Sequence, residues 1–201
     1  MAEQERQDLL DLVEKLTPEQ WAHPTLCARW TVHDVVAHVL SYEGMSPARM
    51  ARVALAGRFA PSRMNELLVR RYRQSTPADL IARLRSFQTP QGLTAQLGGR
   101  IALTDGLIHR QDIRRALGLG TDVPRDRLGA VLSFSTRLHP YGRWQTRGLR
   151  LEPTDLPTTF GRGAPVTGPA EALLMGVAGR RVALAELGGP GLPRLRANLG
   201  A

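Results

Sequence analysis

Asp105 and His109 stand four residues apart in a stretch, Arg100 to Leu117, that reads as one helix. On a helix that spacing puts both side chains on one face, a turn apart. A carboxylate and an imidazole so placed can share one divalent cation. His38 lies in another helical stretch, beside Val32, Val35, Val36 and Val39 rather than opposite them. It is therefore expected to point inward and to offer a third ligand. Three protein ligands from two helices, with water in the remaining positions, make an open catalytic metal site. Leu107, Ile108 and Ile113 flank the pair and would keep it partly dry. A plainer reading stands beside this one. A D-x-x-x-H pair also makes an ordinary helix-surface hydrogen bond, and a lone histidine on a semi-apolar face is commonly a satisfied core residue.

The elements that must carry these residues are mostly helical. Leu9, Leu12, Val13 and Leu16 repeat at helical spacing. Thr17-Pro18-Glu19-Gln20 and Thr76-Pro77-Ala78-Asp79 are helix starts, each with a capping threonine and a proline in the first turn. Residues 23–30 read as a loop. Thr31 then caps the His38 helix, which is expected to run to about Ala56, with a break over Gly57 to Ser62. The Asp105 helix ends at Gly118, and Pro124 opens another with Leu128, Val131 and Leu132 on its face. The character changes near residue 140. His139 to Gly142 is turn material, Leu149 to Glu152 alternates like a strand, and 158–160 and 165–167 read as two further short strands. Gly168-Pro169 opens what is expected to be the last helix, reaching Leu184, before an uncertain tail. The organisation expected is a helical bundle over 1–140 and a small α/β appendage over 141–201.

Composition narrows the function. The chain has 201 residues, 42% hydrophobic and 22% charged, an ordinary globular balance. It has no apolar run long enough to span a bilayer and an acidic, polar start, so a cytoplasmic protein without membrane contact is expected. Cys27 is the only cysteine, which rules out an internal disulfide; its apolar-aromatic loop points to a packing role. The net charge of +9 is carried almost wholly by arginine. Those arginines are scattered and not interleaved with aromatics, which favours an anionic small molecule over nucleic acid. Nothing resembles a nucleophile–base triad or a phosphate-binding glycine loop, against hydrolase and nucleotide-dependent classes. A helical face rich in Leu and Arg leaves homodimerisation open.

Three segments, in order, resemble the mycothiol-dependent maleylpyruvate isomerase family. The first runs from Leu16-Thr17-Pro18-Glu19-Gln20-Trp21 through Pro24-Thr25-Leu26-Cys27 to Trp30-Thr31-Val32-His33-Asp34-Val35-Val36-Ala37-His38. The second is Ile108-His109-Arg110-Gln111-Asp112-Ile113-Arg114 with Leu117-Gly118, and the third is Val166-Thr167-Gly168-Pro169-Ala170-Glu171-Ala172-Leu173-Leu174 with Ala178-Gly179-Arg180-Arg181. Residues 44–98 match only in general character.

The resemblance implies a mainly α protein: a DinB-like four-helix bundle holding a divalent metal, usually zinc, with a small C-terminal α/β segment. The family's ligands carry over onto His38, Asp105 and His109. Its acid is often Glu, and with the shorter Asp105 the metal would sit closer to the helix or bind a shifted acid. Asp112, one turn beyond His109, is expected either to orient that imidazole or to be a solvated helix acid. Arg180 matches an arginine of the C-terminal segment and is assigned to an anionic substrate, beside the plainer role of complementing a helix C-terminus. Mycothiol would be the cosubstrate, in cis–trans isomerisation of a maleylpyruvate-like diacid or in thiol S-transfer. The alternative is a non-catalytic DinB-like module that binds a metal or a small molecule.

Overall fold

The computed structural model describes residues 1–138 and 140–200. They form two compact units that divide between residues 119 and 120. Among the described residues, no helix is long and apolar enough to cross a membrane.

The first unit is all helix: α1 (Ala2–Val13), α2 (Pro18–Trp21), α3 (Val32–Ser41), α4 (Pro47–Ala56), α5 (Pro61–Val69), α6 (Pro77–Ser86) and α7 (Arg100–Ala116). A 3-10 turn, Arg70–Tyr72, follows α5. Helix α1 packs on α6 and α7, and α3 packs on α5, α6 and α7. Leu9, Leu10 and Val13 of α1 meet Val35, Val36, Val39 and Leu40 of α3, Leu80 and Leu84 of α6, and Ile113 of α7 in one apolar core. Burial of such side chains contributes about 1.5–3 kcal/mol each.

Three helix starts are fixed by reciprocal caps. Thr17 with Gln20, Thr31 with Asp34 and Thr76 with Asp79 each form a full capping box. The box at Thr31 sets the phase of α3, and with it the direction of His38. Replacing Thr31 by alanine is expected to cost about 1 kcal/mol in urea unfolding, while serine, which keeps the hydroxyl, restores most of it.

The His38 helix is shorter than expected. It ends at Ser41, the chain turns through Gly44 (φ 61°), and Ser46 caps a separate helix, α4. A helix cannot hold a residue at that φ, so the apolar residues of 45–56 belong to a second axis.

The second unit holds α8 (Arg125–Arg137), α9 (Pro140–Gln145), β1 (Leu149–Pro153), β2 (Phe160–Gly161), β3 (Ala164–Gly168), α10 (Ala170–Val177), a 3-10 stretch (Arg181–Glu186) and α11 (Leu192–Asn198). The sheet order is β2-β1-β3. β1 is parallel to β3, with Leu151 opposite Val166, and antiparallel to β2. Helix α10 is buried along its whole length and packs on α8, β1 and β3. Helix α8 therefore packs with the second unit, and the division falls about twenty residues before the boundary expected near 140. Of the turn expected at 139–142, His139 lies outside the described residues, and the chain from 140 is helix. The helix opened by Pro169 stops at Val177, and α11, not expected, follows the glycine-rich turn.

Candidate metal centre

Helix α7 presents Asp105, His109 and Asp112 along one stripe, and α3 faces it with His38. Asp105 Oδ1 lies 3.5 Å from His38 Nε2 and 3.5 Å from His109 Nε2. The three donor atoms all fall within 4.8 Å of one another. The imidazoles meet edge-on, their centroids 4.7 Å apart. A tetrahedral ion with bonds of about 2.0–2.1 Å needs donors roughly 3.3–3.4 Å apart. Two edges of this triangle are close to that, and two nitrogens with one carboxylate oxygen are a donor set suited to a borderline divalent ion such as zinc. Both histidines are buried, whereas the Asp105 side chain is 37% exposed, so the cluster has a closed side and an open one.

The other nitrogen of His109 is also engaged. Nδ1 donates to Asp112 Oδ2 at 3.0 Å, and Asp112 is fully buried. That contact fixes the tautomer that leaves the Nε2 lone pair free for a metal. Asp112 is thus placed to orient His109 and is not a solvated helix acid.

The sequence reading missed Cys27 here. Its thiol donates to Asp112 Oδ2 at 3.0 Å and lies 3.5 Å from His109 Nδ1. These contacts join residues 85 and 82 positions apart, and no local spacing encodes them. The Cys27 loop is closed by Thr25 N–H bonding to the Trp30 carbonyl and tied to α7 by Leu26 N–H bonding to the Asp112 carbonyl. Trp30 caps the cluster, its ring 4.9 Å from that of His38. Tyr42, at the end of α3, packs edge-on against His38 and donates to Asn65 Oδ1 of α5 at 2.5 Å. The atoms of Cys27, His109 and Asp112 form a second group close enough to hold an ion. It would use Nδ1 instead of Nε2, so one imidazole serves one group or the other.

The charges interlock. Burial pushes the Asp105 carboxyl up, but the charges of His109 and His38 more than offset it, so it sits well below the usual range. Burial likewise pushes the His109 imidazole down, and the Asp105 charge, with hydrogen bonds to Asp105, Asp112 and Cys27, lifts it well above its ordinary value. Burial, then the Asp105 charge, pushes Tyr42 up to about 12.

The structure brings His38, Asp105, His109 and Asp112 together. Arg180 belongs to the second unit, where it follows α10 and its Nη1 donates to the Ala178 carbonyl at 2.5 Å.

Fold and site together define a helical bundle with a two-histidine, one-carboxylate cluster between helices. Residues 2–89 match the family described as the mycothiol maleylpyruvate isomerase N-terminal domain. The match takes in His38 and stops before α7. Two crystal structures are similar in fold: a mycothiol-dependent maleylpyruvate isomerase carrying a histidine-to-alanine substitution (TM-score 0.57) and the mycothiol-dependent maleylpyruvate isomerase itself (TM-score 0.50). Each is 17% identical, with 89% of this chain and 86% of that chain covered. No curated protein matches the chain by sequence.

Proposed function

We propose that this protein holds one divalent metal, zinc in the first instance, on His38, Asp105 and His109. It would use that site with a low-molecular-weight thiol of the mycothiol type. The reaction is cis–trans isomerisation of a maleylpyruvate-like diacid or transfer of the thiol's sulfur to an electrophile. The observation that carries this reading is the convergence of three donor atoms from α3 and α7, in a chain whose residues 2–89 match the mycothiol maleylpyruvate isomerase N-terminal family.

A metal held there would supply a Lewis acid that favours the thiolate form of a bound thiol at neutral pH. The chain's own residues do the rest. Asp112 keeps the proton on His109 Nδ1, and Cys27 donates to the same carboxylate oxygen. Trp30 covers His38 and excludes water from that side. The exposed edge of Asp105 leaves the approach for the thiol. Arg180 is assigned to a carboxylate of the substrate, for which a guanidinium is suited by its paired donors.

Protonated His109 cannot ligate, and Asp105 holds that proton in the metal-free protein. Metal affinity is therefore expected to rise with pH, by about tenfold per unit for one proton released, until the raised His109 value is passed. Competition with a chromophoric chelator across neutral to mildly alkaline pH reads this directly, and a flat profile would remove His109 from the ligand set.

The function is tested on zinc-loaded protein given mycothiol with maleylpyruvate, and separately with an electrophilic acceptor. Turnover that needs both metal and thiol supports the reading and separates isomerase from transferase. Stoichiometric metal with no turnover on either would leave the alternative, a non-catalytic metal- or small-molecule-binding module.

A further inference from the structure

The arginines are not spread evenly through the first unit. Between residues 44 and 78 there are seven, against a single acid, Glu66. That acid is already paired with Arg70 at 2.7 Å. No residue of helix α4 is fully buried, and the helix packs on α5. Between the two helices runs a cleft of about 490 Å³, lined by Arg49, Arg52 and Arg71 with Val53, Ala56 and Leu67. None of its lining residues belongs to the metal centre.

Three features make this cleft more than a charged surface. Among the described residues, Arg49, Arg52 and Arg71 have no carboxylate partner. Like charges gathered without counter-charges repel and cost stability. Arg49 Nε is buried and donates to no acceptor among the described residues, and a buried donor left unbonded costs about 1–3 kcal/mol. Finally, the wall between the guanidinium groups is apolar. A volume of this size suits a small organic ligand.

We infer that the α4–α5 cleft is a binding site, separate from the metal centre, for a small organic dianion: an apolar body carrying two carboxylate, sulfonate or phosphate groups. The planar donor forks of Arg49, Arg52 and Arg71 take the acidic groups. Val53, Ala56 and Leu67 take the body. Two negative charges offset two of the three guanidinium charges that line the cleft, and Arg49 Nε gains its acceptor. A nucleic acid would engage the arginines through phosphates alone and leave the apolar wall unused. The inference does not depend on a metal being bound.

The test uses the full chain and naphthalene disulfonate, a rigid apolar dianion, followed by titration calorimetry. Sulfate carries the same charge without the body. Naphthalene disulfonate is expected to bind at one site and at least about tenfold more tightly than sulfate, as burial of an apolar body predicts. Arg49→Gln, Arg52→Gln and Arg71→Gln together should weaken it by about tenfold or more. Arg125→Gln, Arg147→Gln and Arg162→Gln, the same charge loss from exposed positions of the second unit, should leave it unchanged. Wild-type protein gives a second reading that needs no variant: naphthalene disulfonate should shield Arg49, Arg52 and Arg71 from phenylglyoxal, as located by mass spectrometry. Equal affinities for the two anions would overturn the proposal. So would equal losses in both triple variants, modification of the three arginines unaffected by the dianion, or tight binding of duplex DNA that displaces it.

Discussion

Replacing His109 by alanine is expected to take bound divalent metal from near one equivalent per chain to less than about a tenth, measured by elemental analysis after dialysis. Substitutions in the shell behind a metal cost about ten- to hundredfold in affinity, and removal of a ligand should exceed that. The effect is large because one imidazole belongs to two sets of contacts. Its Nε2 faces Asp105 and His38, and its Nδ1 faces Asp112 and Cys27. Asp112→Ala should act more weakly, within that ten- to hundredfold range, because His109 would remain but lose its orientation. Metal retained at full stoichiometry by His109→Ala would sink the assigned site.

The same substitution has a signature in the metal-free protein. His109 is raised in the folded state above its unfolded value of about 6.5. Its favourable contacts thus contribute fully below that pH, and the contribution is lost as pH rises through the raised value. Asp105, held low, contributes above about pH 3.8 and loses its contribution as pH falls through its folded value. Urea unfolding of metal-stripped protein should therefore show His109→Ala most destabilised in mildly acidic solution. The gap to wild type should narrow in alkali. Metal-loaded protein should show the opposite trend, because protons then compete with the ion.

How much of this was legible in the sequence depends on whether the signal is local. The caps at Thr17, Thr31 and Thr76 are written within four residues each, and all three stand. Asp105 and His109 share a face because helical geometry alone requires it. His38 was readable from the valines around it. Cys27 was not, because its partners lie on α7 and only the folded chain brings the Cys27 loop to them. The same holds for Tyr42 and Asn65, joined across the α3–α5 packing. The end of α3 had a local signal that lost to a stronger-looking one. Ser46-Pro47 is a helix start, and Ser46 does cap α4, but the apolar residues on either side read as one continuous helix. The allegiance of α8 had no such signal. Leu128, Val131 and Leu132 mark an apolar face without naming what covers it, and in the structure α10 packs on that helix.

Arg110→Ala is expected to destabilise the chain by about 3–5 kcal/mol, the cost of stranding a buried charge. Arg110 and Glu5 are each 1% exposed, with Nε to Oε1 at 2.5 Å and Nη2 to Oε2 at 3.3 Å. This fork joins α1 to α7 beside Gly106, where an added Cβ would already touch Glu5 Cγ. Since Arg110 is the residue after His109, the pair also fixes the helix that carries two of the proposed ligands. The large loss belongs to the unpaired partner and not to the pair itself, because two charges taken from water regain little more than their desolvation cost. Glu5→Leu with Arg110→Met should therefore cost clearly less than the sum of the two single substitutions, and less than Arg110→Ala alone, in urea unfolding at one pH. Additive losses would mean that the two residues act independently, and that their pairing does not hold α1 on α7.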